Sequence, residues 1–227
     1  MNLIHEKWGD LGVRVASAAV MLTVGVVAIA AGSLVFGALV CAVSLIGIWE
    51  LVQMGRAKSA KGTFSFADFF ALSGYAFFVC LAAVGLIFLY VGFSAYGVGY
   101  LVALVVVTDS LGYLVGRKVG GKKFWPSISP KKTWAGVLGG WGGVAVLALV
   151  VSTVAPISNM TLTGFVLFSV AMSFASQLGD IAQSALKRRM GVKDSSNIIP
   201  GHGGVLDRFD ALLAASVVML GCILYAI

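Results

Sequence analysis

Residues 134–156 read WAGVLGGWGGVAVLALVVSTVAP, twenty-three positions without a charged side chain. A helix needs roughly 20 predominantly apolar residues to cross the hydrocarbon region of a bilayer, so this run fits a membrane span and is too long for an element of a soluble core. Working outward, comparable runs lie near 13–31, 33–53, 70–91, 95–116, 162–184 and 208–227, about seven in all, in a 227-residue chain that is 59% hydrophobic and 11% charged. They lack the two-residue alternation of barrel strands, and backbone polar groups in lipid must be satisfied within the segment. The expected fold class is therefore an all-α polytopic integral membrane protein with about seven transmembrane helices and almost nothing left for a soluble domain. The first run is longer than a secretory h-region, follows a mixed-charge segment holding Glu6 and Asp10, and leads directly into the second, so it reads as a span rather than a signal peptide. Residues 1–12 read as a short interfacial segment with Trp8 at the headgroup level.

Charge placement sets the orientation. All sixteen Lys and Arg fall at the N-terminus or in the segments after spans two, four and six, whereas the connections 31–33, 90–95 and 156–160 and the C-terminus carry none. The positive-inside rule then puts the N-terminus in the cytoplasm and the C-terminus in the periplasm. A net charge of +7 describes a basic cytoplasmic face suited to anionic lipids and phosphates, and gives no indication of nucleic acid. Cys41, Cys80 and Cys222 lie within apolar runs at no paired or metal-ligand spacing and read as packing residues.

Against this background the polar residues stand out. Ser173, Gln177, Asp180, Ser184 and Lys187 are separated by four, three, four and three positions, which puts them on one face of span six. Asp180 lies about 10 Å inside Lys187 by helical rise. Polar side chains of this kind also serve as interhelical glue, but an ionisable residue within a span is a functional-site hypothesis by default. The block continues through Lys187, Arg188, Arg189 and Lys193 to Pro200-Gly201-His202-Gly203-Gly204, then Asp207-Arg208 and Asp210. Glycine-rich backbone beside Lys and Arg is a common phosphate cradle, and closely placed carboxylates hold magnesium beside phosphates. A second block repeats the logic: Thr108-Asp109-Ser110, Arg117-Lys118, Lys122-Lys123, and Ser129 to Trp134 around Pro130. Pro130 there is a helix-initiation signal, and the amides it would expose at the start of span five suit an anion. Gly112, Gly116, Gly136, Gly140 and Gly143 read as sites of close helix packing. His202 could orient a phosphate, shuttle a proton or serve the backbone, and His5 reads as a surface residue.

The stretch from Ser184 to Asp210, S-x-x-K-R-x4-K-D-x5-P-G-H-G-G-x-x-D-R-x-D, closely resembles the signature of the phosphatidate cytidylyltransferase (CDP-diacylglycerol synthase) family. Ser176-Gln177-Leu178-Gly179-Asp180 and the block from Thr108 to Trp134 are similar to other segments of that family, so the resemblance covers roughly residues 100–227. It departs at Lys131 and Ala135, where the family usually has Asn and Glu, and at Ser196, where Gly is more usual. The resemblance implies a multi-pass enzyme of the bacterial inner membrane, with N-terminal transmembrane helices (1–92) and a catalytic transmembrane domain (93–227). Its implied reaction condenses CTP with phosphatidic acid to CDP-diacylglycerol and pyrophosphate, and requires magnesium, with room for a second cation. The bilayer is its partner, and a homodimer is among the assemblies allowed. By the same resemblance Asp180, Lys187, Asp207 and Arg208 form the catalytic set, with Asp180 and Asp207 holding the metal. Arg188, Lys193, His202, Gly203, Gly204 and Asp109 bind substrate, and Ser129, Lys132 and Thr133 form a second anion site. A CTP-dependent polyprenol or phytol kinase and a transporter of anionic lipids are the competing readings.

Overall fold

A computed structural model describes residues 2–154 and 160–226, with side chains from 12 onward and up to 225. The expected connection at 156–160 and the side chains of His5, Glu6, Trp8 and Asp10 fall outside these limits, Met160 excepted. The elements are α1 (Asn2–Ala30), α2 (Ser33–Ala60), α3 (Phe66–Val119), β1 (Lys123–Trp125), β2 (Ser129–Thr133), α4 (Trp134–Val154), α5 (Leu162–Met190) and α6 (Leu206–Ala226). Among the described residues six helices are long and apolar enough to cross a membrane. The backbone of residues 2–12 continues into α1 as one helix rather than forming a separate segment.

Local chemistry sets the ends. Ser65 opens α3 with a capping box, its hydroxyl accepting from the Asp68 amide while the Asp68 carboxylate accepts from the Ser65 amide. Thr161 caps α5, and Gly191 ends it in the left-handed conformation (φ 72°, ψ 26°) after the basic turn Lys187-Arg188-Arg189, where cations oppose the negative end of the helix dipole.

At 54 residues α3 would measure about 80 Å as a straight rod, far beyond one ~30 Å crossing. It breaks at Ser94 (φ 57°, ψ −160°), the one non-glycine residue with positive φ among those described. A Cβ on Gly97 would lie 3.2 Å from Cδ1 of Leu89, eight residues earlier, which a continuous helix does not permit. The element is therefore two arms. Near the break, Tyr90 Oη donates to the Ile29 carbonyl (2.8 Å) and stacks on Phe36, while Tyr100 pairs with Ser169 (2.6 Å) and stacks on Phe165. The far ends of both arms meet the polar ends of other elements. Asp68 bonds Lys58 of α2 and Arg189 of α5, and Gly116 packs on Thr133.

Two apolar clusters hold the bundle. One joins Phe36, Leu86, Leu89, Leu101, Leu104, Val144, Met172 and Ala215; the other, nearer the basic end, joins Leu51, Met54, Val79, Leu186, Met190, Leu206 and Leu213. Backbones approach closely where side chains are missing. A Cβ on Gly112 would stand 3.2 Å from the Gly136 carbonyl oxygen, one on Gly140 would stand 3.0 Å from that of Thr108, and one on Gly179 would stand 2.7 Å from that of Asp210. Such contacts replace the hydrophobic driving force that lipid cannot supply between helices. Large apolar side chains such as Leu34, Leu45 and Phe77 cover the outside, as expected where the surrounding solvent is hydrocarbon. Cys41, Cys80 and Cys222 are also on that outer face, not in the packing to which their hydropathy assigned them. In lipid an outward position and a core position are equally apolar, so composition does not separate them.

Pro130 does not start a helix. Residues 129–133 pair antiparallel with 123–125 in a two-stranded hairpin, and the helix begins at Trp134. Thr133 caps it, its hydroxyl accepting from the Gly136 amide (3.2 Å).

Candidate active site

The seam predicted along α5 faces inward. From the middle of the bundle towards its basic end, Ser173 pairs with Thr108 (2.8 Å), and Gln177 is buried against Val137. Asp180 Oδ2 then meets Lys132 Nζ at 2.5 Å, Ser184 lies 3.4 Å from Asp180 Oδ1, and Lys187 Nζ donates to Asp207 Oδ1 at 2.6 Å. The same face also buries Ser176 and Gln183.

Asp109 of α3, Asp180 of α5 and Asp210 of α6 lie within electrostatic reach of one another, although among the described residues no three such groups stand close enough to form a ready metal cluster. The nearby cations are Lys132 and Lys187, and Lys187 is already bonded to Asp207. Like charges in low dielectric repel, which favours a cation or a proton among these carboxylates.

Beside Asp109 a cavity of about 550 Å³ opens between the second arm of α3, the hairpin and α4. Arg117, Lys123, Lys131 and Lys132 supply its charge, and Gly112, Gly116 and Gly136 supply its space. Gln177 closes the inner end, its Oε1 buried without a hydrogen-bond donor. Of the expected second anion site, Lys132 lines this cavity while its ammonium is held by Asp180 and the Gln177 carbonyl, Thr133 lines it while its hydroxyl caps α4, and Ser129 lies outside the lining on the hairpin.

The glycine loop differs from an open phosphate cradle. Its turn is closed by amides of His202 and Gly203 on the Ile199 carbonyl, with Gly201 and Gly203 at positive φ (71° and 85°). The Gly204 amide donates to Asp207 Oδ2 (3.0 Å), and the Val205 and Leu206 amides donate to Glu50 (2.8 and 2.9 Å). Internal carboxylates thus occupy the amides that the sequence offered to substrate, and Gly203 and Gly204 serve the turn. His202 Nδ1 is 2.7 Å from Ser17 Oγ of α1, and its carbonyl accepts from Arg208 Nε (3.0 Å). These contacts favour the structural alternative for His202. Arg188, Lys193 and Arg208 are exposed around the loop.

Asp207 is the second departure. Oδ1 accepts from Gln183 (3.1 Å) and Lys187, and Oδ2 from the amides of Ser195 (2.8 Å) and Gly204, with Ser195 Oγ at 3.0 Å. Both oxygens are bonded by protein donors, one of them the ammonium of Lys187 on the helix that carries Asp180. Asp210 is less occupied: among the described residues, only the Ala211 amide bonds its carboxylate, on Oδ1.

Sequence reading passed over Glu50. Its side chain is fully buried in α2 and accepts from Ser195, Ser196, Val205 and Leu206. A lone carboxylate within an apolar span was the available signal.

This arrangement agrees with what the chain resembles. It is 47% identical over 119 residues to the phosphatidate cytidylyltransferase of Haemophilus influenzae, covering 51% of this chain and 41% of that protein. The phosphatidate cytidylyltransferase of Bacillus subtilis is 46% identical over 147 residues (60% of this chain, 54% of the relative), and that of Brucella abortus is 39% identical over 183 (79% and 60%). The chain spans about half the length of these curated relatives. The sequence profile of the cytidylyltransferase family matches residues 60–226, which include the seam, the hairpin, the cavity and the glycine loop. With nearly three quarters of its length matched, the chain belongs to the cytidylyltransferase family.

Proposed function

We propose that this protein is a phosphatidate cytidylyltransferase, a multi-pass enzyme of a bacterial inner membrane that condenses CTP with phosphatidic acid to give CDP-diacylglycerol and pyrophosphate. One observation carries the reading: a cavity rimmed by Arg117, Lys123, Lys131 and Lys132 meets, through the Lys132–Asp180 pair, a seam of ionisable side chains inside an otherwise apolar bundle. Anionic substrates need cations, and a divalent ion held by Asp180 and Asp210 would add to those that the lysines and arginines supply.

Two substrate positions follow from depth and lining. The cavity bounded by Arg117, Lys123, Lys131 and Lys132 suits the phosphate of a membrane lipid, which stays at headgroup level. The exposed Arg188, Lys193 and Arg208 suit the triphosphate of a nucleotide arriving from water. A phosphatidate oxygen forms a bond to the α-phosphorus of CTP, the bond from that phosphorus to the bridging oxygen breaks, and the electron pair leaves with pyrophosphate. The attacking oxygen is already anionic, so no general base is needed. The protein must bring two anions together, and Lys132 and Lys187 lower the repulsion between them.

Magnesium fits Asp180 and Asp210: both offer hard oxygens, and magnesium takes a few carboxylates while filling its shell with water and phosphate oxygens. When bound it would neutralise charge developing on the leaving pyrophosphate.

In the bilayer we place the two arms of α3 as separate passes, giving seven, with the basic ends and N-terminus in the cytoplasm and the C-terminus in the periplasm. The break at Ser94 then falls at the boundary between the N-terminal helices (1–92) and the catalytic part (93–227). A reporter active only outside the membrane should work when fused after Ile227 and fail when inserted in 120–132; the reverse result overturns this orientation.

Purified protein given phosphatidic acid and CTP labelled on either the α- or the γ-phosphorus tests the reaction. Transfer of the α label to lipid, with the γ label in pyrophosphate, is expected. Transfer of the γ label to a polyprenol supplied in parallel would instead mark a kinase, and no transfer to either acceptor would overturn both.

A further inference from the structure

Glu50 lies in α2, outside the residues that the family profile matches, and its carboxylate is removed from solvent. A buried carboxylate is costly unless its oxygens are bonded. Here Oε1 accepts from Ser196 Oγ (2.5 Å) and the Val205 amide (2.8 Å), while Oε2 accepts from the Leu206 amide (2.9 Å) and lies 2.9 Å from Ser195 Oγ. Val205 and Leu206 stand at the start of α6, where amides have no partner within the helix and the dipole favours an anion. Glu50 is that anion, supplied from within the protein. Shape repeats the message. One turn earlier, Gly47 leaves space for Leu206, whose Cδ2 would stand 2.9 Å from an added Cβ, and any Cβ on Gly204 would collide with Glu50 and Ser195.

The contact does not stop at the loop. Ser195 Oγ sits between Glu50 Oε2 (2.9 Å) and Asp207 Oδ2 (3.0 Å), so its single proton serves one carboxylate at a time and ties the two together. Asp207, in the first turn of α6, in turn holds Lys187, and Asp210 follows in the next turn. We propose that Glu50 is a positioning residue for cytidylyl transfer: through Ser195, Asp207 and the start of α6 it fixes where Lys187 and Asp210 stand. Its effect on turnover rests on the function proposed above; its hold on the loop does not.

Three variants in purified, full-length protein separate positioning from simple stability. Glu50→Gln retains the shape but must aim an N–H at one of two backbone N–H groups. Ser195→Ala removes the hydroxyl shared by Glu50 and Asp207 while keeping the residue's amide on Asp207. Asp68→Asn is the control, because it breaks the Lys58–Asp68–Arg189 contacts at the same end of the bundle without touching the loop. Below its melting temperature, Glu50→Gln should lose about 100-fold in kcat, the scale of a small misplacement at a reacting centre, with KM for both substrates within about threefold. Ser195→Ala should lose about tenfold, and the double variant should be no slower than Glu50→Gln alone, since both act along one path. Amide exchange at Val205 and Leu206 should quicken by about tenfold or more in Glu50→Gln and stay unchanged in Asp68→Asn, whose kcat should remain within about twofold of the parent. A folded Glu50→Gln with near-normal kcat, losses that multiply in the double variant, or unchanged exchange would each overturn the proposal. If Glu50→Gln does not fold, normal kcat in Ser195→Ala overturns it. A parent protein without cytidylyl transfer defeats the proposed function instead, and the exchange measurement still decides whether Glu50 holds the loop.

Discussion

Asp207 and Asp180 are carboxylates on facing helices at the same end of the bundle, yet their surroundings differ. Asp207 receives two amides, a glutamine and a lysine, with a serine hydroxyl alongside. Asp180 meets one lysine and a distant serine while sharing its space with two further carboxylates. A carboxylate whose oxygens are all occupied is part of the scaffold, because displacing its donors would leave several buried groups unpaired. One with few donors and like-charged neighbours is available to something that arrives. Family signatures record both kinds in the same letters, and only packing distinguishes them.

The strongest way to break this contrast is to neutralise each side in turn. Asp180→Asn should reduce turnover about a thousandfold or more while leaving the melting temperature close to that of the parent, since the one ion pair it breaks, with Lys132, is partly exposed. Near-normal activity at saturating magnesium would remove Asp180 from the reacting centre. Asp207→Asn should behave differently, costing about 3 kcal/mol of stability through the unpaired Lys187, with activity lost alongside. A stable Asp207→Asn protein in a thermal unfolding assay would mean that its bonds carry little.

Smaller effects sharpen the picture. Gly136→Ala would put a Cβ 2.6 Å from the Gly112 carbonyl oxygen, a backbone atom unable to move aside, and should destabilise by about 1–3 kcal/mol while narrowing the cavity. A raised KM for phosphatidic acid, with a smaller effect on CTP, is the expected kinetic result. Equal changes for both substrates would argue against a lipid site there.

Much of this was readable in advance, for reasons that are local. Hydropathy over 20 residues marks a span, and a four-three-four-three spacing marks one face of a helix, so α5 and its seam follow from adjacent letters. The break in α3 was also visible as the short polar-poor connection at 90–95, where Ser94 leaves the helical region. What failed depends on distant parts of the chain. Glu50 gains its meaning from Ser195 and Val205, 145 and 155 residues away. The hairpin at 123–133 was hidden because Pro130 suggests a helix start and five residues give too little alternation to contradict it. Asp207 and Asp210 lie three positions apart on one helix, and what tells them apart is the set of donors around Asp207, which comes from α5 and from the loop before α6.

The most direct test of the account is manganese binding, followed by electron paramagnetic resonance, in the parent, Asp180→Asn and Asp207→Asn proteins with CTP present. Manganese can replace magnesium on oxygen ligands and reports binding without turnover. The account predicts that Asp180→Asn loses the bound signal at concentrations that saturate the parent, while Asp207→Asn, kept below its lowered melting temperature, still binds. Retained binding in Asp180→Asn with loss in a folded Asp207→Asn would contradict it.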